Sequence, residues 1–357
     1  VATLAPAPPS ALPRSRPAAA RPRQVAAGLL LLLVTSILLN LALGAVPVPP
    51  ADLLRSLLPG TTADPGTALV VRDIRLPRLL AALAVGAALA VSGAALQGLF
   101  RNPLADPGLL GVSTGAALGA AVWFVAGAAL LGGATAASAF LLPLASFLGA
   151  LAAIAIILAL ASRAGPQATL LMLLMGIGVN ALGGALIGFF SYVATDSQLR
   201  ALSVWLLGTL AQVEWPVLAA ALLVMLPAVA GLVATARQLD LLALGEEGAR
   251  HLGVDVARLR LRLAVLTALA VGAAVSVSGL IGFLGLIVPH LLRLGLGPAH
   301  RWLLPLAALA GAICLSLADL VARLVALPAE VPVGIVMAFA GAPVFIWVLL
   351  SAWRRLG

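Results

Sequence analysis

Lysine is absent from the chain: all 21 basic side chains among 357 residues are arginine, which reads as a codon bias sooner than as a function. Charge of either sign is scarce, at 9% against 63% hydrophobic residues. A water-soluble chain carries about a quarter of its residues as charges, so a soluble fold is excluded and a membrane protein is required. The one cysteine, Cys314, excludes a disulfide within the chain; it lies in an apolar run and reads as a small core residue. The sequence has no GxxxxGK[ST] loop for nucleotide phosphates, no HExxH pair for a metal and no GxSxG elbow for a serine nucleophile. His251, His290 and His300 fall in a loop, a helix tail and a turn, a spacing that argues against metal ligation. The net charge of +9 is spread over helix ends and forms no patch for nucleic acid.

What is present is a series of apolar runs. A span of about 20 residues crosses the roughly 30 Å hydrocarbon layer at 1.5 Å per residue. By that measure the sequence predicts an all-α, polytopic chain of about ten crossings, near 25–46, 76–99, 108–128, 138–161, 168–191, 216–235, 259–279, 282–295, 302–323 and 331–352. Segments 50–59 and 197–208 are too brief to span and read as short surface helices. Residues 1–24, rich in Ala, Pro and Arg, read as a disordered cytoplasmic tail ahead of a retained first helix, and residues 25–357 as the membrane domain. With the N-terminus inside, only Arg55, Arg72, Arg75, Arg78, Arg200 and Arg323 of the 21 arginines fall outside, so both termini are expected in the cytoplasm. Glycines recur along the runs and read as close helix packing.

Three places carry polar chemistry. Arg75 and Arg78 open the second crossing and Arg323 closes the ninth. They read either as anchors reaching for lipid phosphate or as docking points for carboxylates on a soluble partner. The loop 237–257 is the longest polar interruption, and Gly245 and Gly253 bound a short helix within it. That helix would carry Glu246 and Glu247 in its first turn and Arg250 and His251 in its last, matching the helix dipole. Such a self-capped element suits a handle held by another protein, with a solvated loop as the plainer alternative. The third place is a rim formed by Asn102 and Leu104 after the second crossing and Thr169 at the start of the fifth; Asn102 beside Pro103 also reads as a simple turn-former. Asp319 is expected to pair with Arg323 one turn on, and Glu330 to begin the last helix. A membrane-embedded enzyme would need paired ionisable groups at mid-membrane depth, and a secondary transporter would need coupling carboxylates or broken helices; neither signal is present.

The run Arg75-Leu-Pro-Arg78, then Val91-Ser-Gly93, Gln97 and Asn102-Pro-Leu-Ala-Asp-Pro-Gly-Leu-Leu-Gly-Val-Ser113, resembles the permease subunits of the ABC importers for iron chelates, haem and cobalamin. The same holds for Gly279-Leu-Ile-Gly-Phe-Leu-Gly-Leu-Ile-Val-Pro-His290, Glu330-Val-Pro-Val-Gly334 and Gly341-Ala-Pro-Val-Phe345. The resemblance implies a homodimer in the bacterial inner membrane, two ATP-binding subunits below and a periplasmic substrate-binding protein above. ATP and Mg would sit on the partner chains, with no cofactor on this one. It implies that Arg75, Arg78 and Arg323 dock the binding protein. It also implies that Leu244, Gly245, Glu246, Glu247, Ala249, Arg250, His251 and Gly253 form the ATPase coupling loop, and that Asn102, Leu104 and Thr169 close the pathway inside. His300, beside Arg301, could then also contact the ATPase. The pattern Tyr192, Asp196, Gln198, Arg200 resembles the haem branch, with a ferric siderophore or cobalamin as the alternative cargo.

Overall fold

The computed structural model describes residues 22–57, 64–127, 138–161 and 168–353. Among them there are helices and turns and no strand. Most of the expected tail lies outside the described residues, and Pro22–Gln24 already belong to the first helix. In chain order the helices are α1 (Pro22–Ala42), α2 (Pro50–Leu57), α3 (Pro65–Leu99), α4 (Val112–Val122), α5 (Ser138–Ala161), α6 (Ala168–Val193) and α7 (Asp196–Leu206). They continue as α8 (Trp215–Ala234), α9 (Ala236–Leu242), α10 (Glu246–His251), α11 (Val256–Ser278), α12 (Leu284–Leu296), α13 (His300–Leu324) and α14 (Val333–Trp353). Seven of these, from 20 to 35 residues, are long and apolar enough to cross a membrane; α4 with its continuation to Gly127, α12 and the Val333–Val348 stretch of α14 are shorter apolar segments. All ten fall on the ten expected stretches, seven of them at spanning length.

Local chemistry sets the boundaries. The Asp64 carboxylate accepts from the Thr67 amide at 3.0 Å, and Pro65 occupies the first helical turn. Helix α3 therefore begins eleven residues before the expected crossing at 76, passing through a wide π-turn at Val70–Arg75. Asp255 caps α11 through the Arg258 amide at 3.0 Å. Thr195 and Gln198 form a reciprocal capping box on α7.

Helix α3 is the axis of the bundle. It is buried along most of its length and packs against α13, α11, α12 and α8. Two close approaches make this packing possible. A Cβ on Gly93 would lie 2.0 Å from the Gly285 carbonyl oxygen of α12, and one on Gly86 would lie 2.3 Å from that of Gly311 in α13. Backbones this near require glycine, and in lipid such dispersion contacts replace the hydrophobic drive. A second layer packs α4 on α5 and both on α11. Helices α6 and α14 lie at the periphery, with Tyr192 88% and Phe339 80% exposed.

Candidate functional site

The polar groups gather at opposite ends of α3. At its N-terminal end the guanidinium of Arg78 donates to Asp319 of α13 from Nε at 3.0 Å and from Nη2 at 2.9 Å, and Nη1 reaches Glu330 at 2.7 Å. Asp319 also faces Nε of Arg323 at 3.4 Å, while Arg323 Nη2 donates to the side-chain oxygen of Asn40 on α1 at 2.6 Å. Arg75 donates to the Leu41 carbonyl at 2.5 Å and to that of Val46. The three arginines and Asp319 are buried, so every charge needs these partners. Arg75, Arg78, Arg323 and Glu330 line one cavity of about 190 Å³. Three guanidiniums against two carboxylates leave it one positive charge in excess.

Asp319 makes the expected pair with Arg323 one turn along α13, at 3.4 Å, and adds a shorter bidentate pair with Arg78 on another helix. One expectation is corrected here. Glu330 does not start the last helix, which begins at Val333; it stays in the loop, where its carboxylate meets Arg78. Asn40 was not singled out from sequence. Its only signal there is a polar amide within an apolar run.

At the other end, Gly245 (φ 104°) and Gly253 (φ 84°) bracket the six-residue α10, as the glycine spacing predicts. Ala249 is buried, whereas Leu244, Glu247, Arg250 and His251 are exposed. Glu246 joins three elements: its carboxylate meets Arg250 at 3.4 Å, Arg260 of α11 at 3.3 Å and the Thr169 hydroxyl of α6 at 3.4 Å. Helix α9 is held through Asp240, which accepts from the His300 amide at 2.7 Å and faces its ring Nδ1 at 2.9 Å. His300 is therefore buried inside the bundle and does not present its ring to a partner, because Asp240 draws it inward.

The rim residues separate. Thr169 touches the short helix through Glu246, while Asn102 is exposed and folds its side chain onto the Leu104 amide at 3.0 Å. Among the described residues no hydrogen bond links Asn102 or Leu104 to Thr169. Nearby, Asp106 caps the turn at Pro107–Leu110 through Gly108 at 2.8 Å, and burial pushes its carboxyl above the usual range. In the pattern from Tyr192 to Arg200, Gln198 serves the capping box and reaches the Val125 carbonyl at 3.4 Å, whereas Tyr192, Asp196 and Arg200 are exposed.

Among the described residues no constellation of nucleophile and base is assembled at either end. A buried ionic pocket at one end and a short glycine-bounded helix at the other, on a bundle of membrane-length helices, fit a membrane permease. Sequence comparison gives the particular family: residues 31–351 match the FecCD transport family, and the chain belongs to it. It is 46% identical over 331 residues to the hemin transport system permease protein HmuU of Yersinia pestis, covering 92% of this chain and 96% of that one. It is 42% identical over 303 residues to the vitamin B12 import system permease protein BtuC of Escherichia coli O127:H6, covering 84% and 89%. A solved inward-facing conformation of a putative metal-chelate type ABC transporter superposes with a TM-score of 0.79 at 33% identity, over 93% of this chain and 100% of that one. The chain is thus a permease subunit of an ABC importer and not an enzyme; ATP hydrolysis belongs to a separate partner.

Proposed function

We propose that the chain moves haem from the periplasm to the cytoplasm as one half of a homodimer in the bacterial inner membrane. The observation that carries the cargo is the 46% identity, nearly end to end, with a hemin permease. The pattern Tyr192, Asp196, Gln198, Arg200 supports it. Two ATP-binding subunits, holding ATP and Mg, would engage loop 237–257 through α10, and both termini would be cytoplasmic. Asn102, Leu104 and Thr169 would close the path there.

A periplasmic binding protein would dock at the pocket of Arg75, Arg78 and Arg323. Because these side chains are buried and already partnered by Asp319, Glu330, Asn40 and backbone carbonyls, docking takes the form of exchange. A partner carboxylate would displace Glu330, the most exposed of the pocket's ion-pair partners, with a side chain 41% open to solvent. Neither step is covalent: the chain's residues hold, release and orient, and the energy comes from the partner.

The test is ATP-dependent uptake into proteoliposomes holding this chain, its ATPase and a loaded binding protein. Haem, a ferric siderophore and cobalamin are supplied separately. Uptake of haem alone is expected; uptake of another cargo refutes the haem assignment and keeps the importer class.

A further inference from the structure

A cleft that the transport reading does not use runs between α5 and α8, with α11 as its floor. Its inner part, about 370 Å³, is walled by Phe140 and Phe147 of α5 and Val217 and Val224 of α8, over Ala273 and Val277 of α11. Its mouth, about 540 Å³, lies at the arginine end of the bundle and adjoins the inner part, with Pro143, Val217, Ser276 and Val277 lining both. Leu144 and Leu223, on the two flanking helices, are 48% and 78% exposed, which places this side of the bundle against the bilayer.

The mouth is polar and of one sign. Asp73 and Glu214 line it, no arginine does, and neither carboxylate makes an ion pair with a described residue. Glu214 stands at the N-cap of the 20-residue α8 without capping it; Pro216 has no N–H, so the first-turn amides left open beside the carboxylates are those of Trp215 and Val217. An apolar slot ending in two carboxylates and a helix N-terminus complements a zwitterion on an acyl chain. The ammonium would meet the carboxylates and the phosphate the amides, whereas an anionic lipid would meet like charge.

We propose that this cleft binds one molecule of phosphatidylethanolamine per chain, its acyl tail along α11 and its ammonium between Asp73 and Glu214. The occupant is a membrane lipid and not cargo. The site shares Ile74 with the docking pocket but none of its arginines.

The full chain, purified in mild detergent, is titrated with phosphatidylethanolamine and phosphatidylglycerol and bound lipid is counted by native mass spectrometry. Preference for phosphatidylethanolamine of about tenfold is expected, falling to near parity in Asp73→Asn/Glu214→Gln. Both positions are exposed, so this variant is expected to fold; Ala220→Phe, which fills the slot from its rim, should lose the lipid with the carboxylates intact. Equal retention of both lipids by the wild type, or undiminished preference in either variant, overturns the proposal. Displacement of the lipid by haem also overturns it and makes the cleft part of the cargo route.

Discussion

Replacing Asp319 with alanine removes the centre of the buried ionic cluster. Asp319 is 1% exposed and serves two guanidiniums, at 2.9 Å for Arg78 and 3.4 Å for Arg323. Without it, Arg78 keeps Glu330 and Arg323 keeps Asn40, but both remain buried with less negative charge near them. Breaking one side of a buried ion pair costs about 3–5 kcal/mol. The surviving Glu330 contact places Asp319→Ala at the lower end, about 3 kcal/mol. Replacing both members of the main pair, as Asp319→Leu with Arg78→Met, removes the stranded charge on α3 and should cost less than the sum of the two single changes by at least about 1 kcal/mol. Glu330→Gln removes a half-exposed charge and should cost about 1 kcal/mol or less. Denaturation of the purified chain in detergent, followed by tryptophan fluorescence, reads all five variants, the two single changes of the pair included. A cost for Asp319→Ala below about 1 kcal/mol, or strict additivity of the pair, would refute the account of the cluster as mutually dependent charges.

Three further outcomes are expected. Glu246→Gln weakens the tie between α10, Arg260 and Thr169, so uptake should fall about five- to tenfold while the partner's ATP hydrolysis falls less; equal loss of both would show that Glu246 serves assembly and not transmission. Gly93→Ala drives a methyl into the Gly285 carbonyl at 2.0 Å, and the forced separation of α3 from α12 should cost about 2–3 kcal/mol, read as a lowered denaturation midpoint. Asp106 has a carboxyl held above its ordinary range by burial, so the folded state binds the proton more tightly than the unfolded chain. Stability from this group is therefore present below the ordinary carboxylate value and is lost as pH rises through the raised one. Asp106→Asn should flatten that fall while keeping the Gly108 cap, and an unchanged profile would contradict it.

Much of this was readable in the chain because each signal was local. Apolar runs are continuous, so seven crossings follow from length; Gly245 and Gly253 bound α10 because a positive φ at each end needs glycine. The early start of α3 was written in Asp64-Pro65, yet the charged stretch Arg72–Arg75 pointed to a boundary at 76; a cap and a π-turn outweighed that polarity. What could not be read was pairing at long range. Arg78 and Asp319 lie 241 positions apart, and nothing in either neighbourhood favours that partner over Arg323. The union of Thr169 with Glu246 is of the same kind, since it depends on how α6 leans on α10.

The two polar ends differ in a way that bears on which can move. Around Asp319 the partners are buried, the main bonds are 2.9–3.1 Å long, and the ties join α3 to α13 and, through Asn40, α13 to α1. Separating these helices would strand a charge in lipid, so this end behaves as one body. Around Glu246 the contacts are 3.3–3.4 Å and the carboxylate is 27% exposed, so water can take over any bond that is given up. On the proposed grip of the ATPase on α10, a pull there would shift α6 and the foot of α11 at small electrostatic cost, while the arginine end resists. The chain would then transmit force by pivoting its weakly tied end against its strongly tied one. Amide exchange should accordingly be slow in α3 and α13 near Arg78 and Asp319 and faster in α10. Protection reversed between the two ends would remove the mechanical argument.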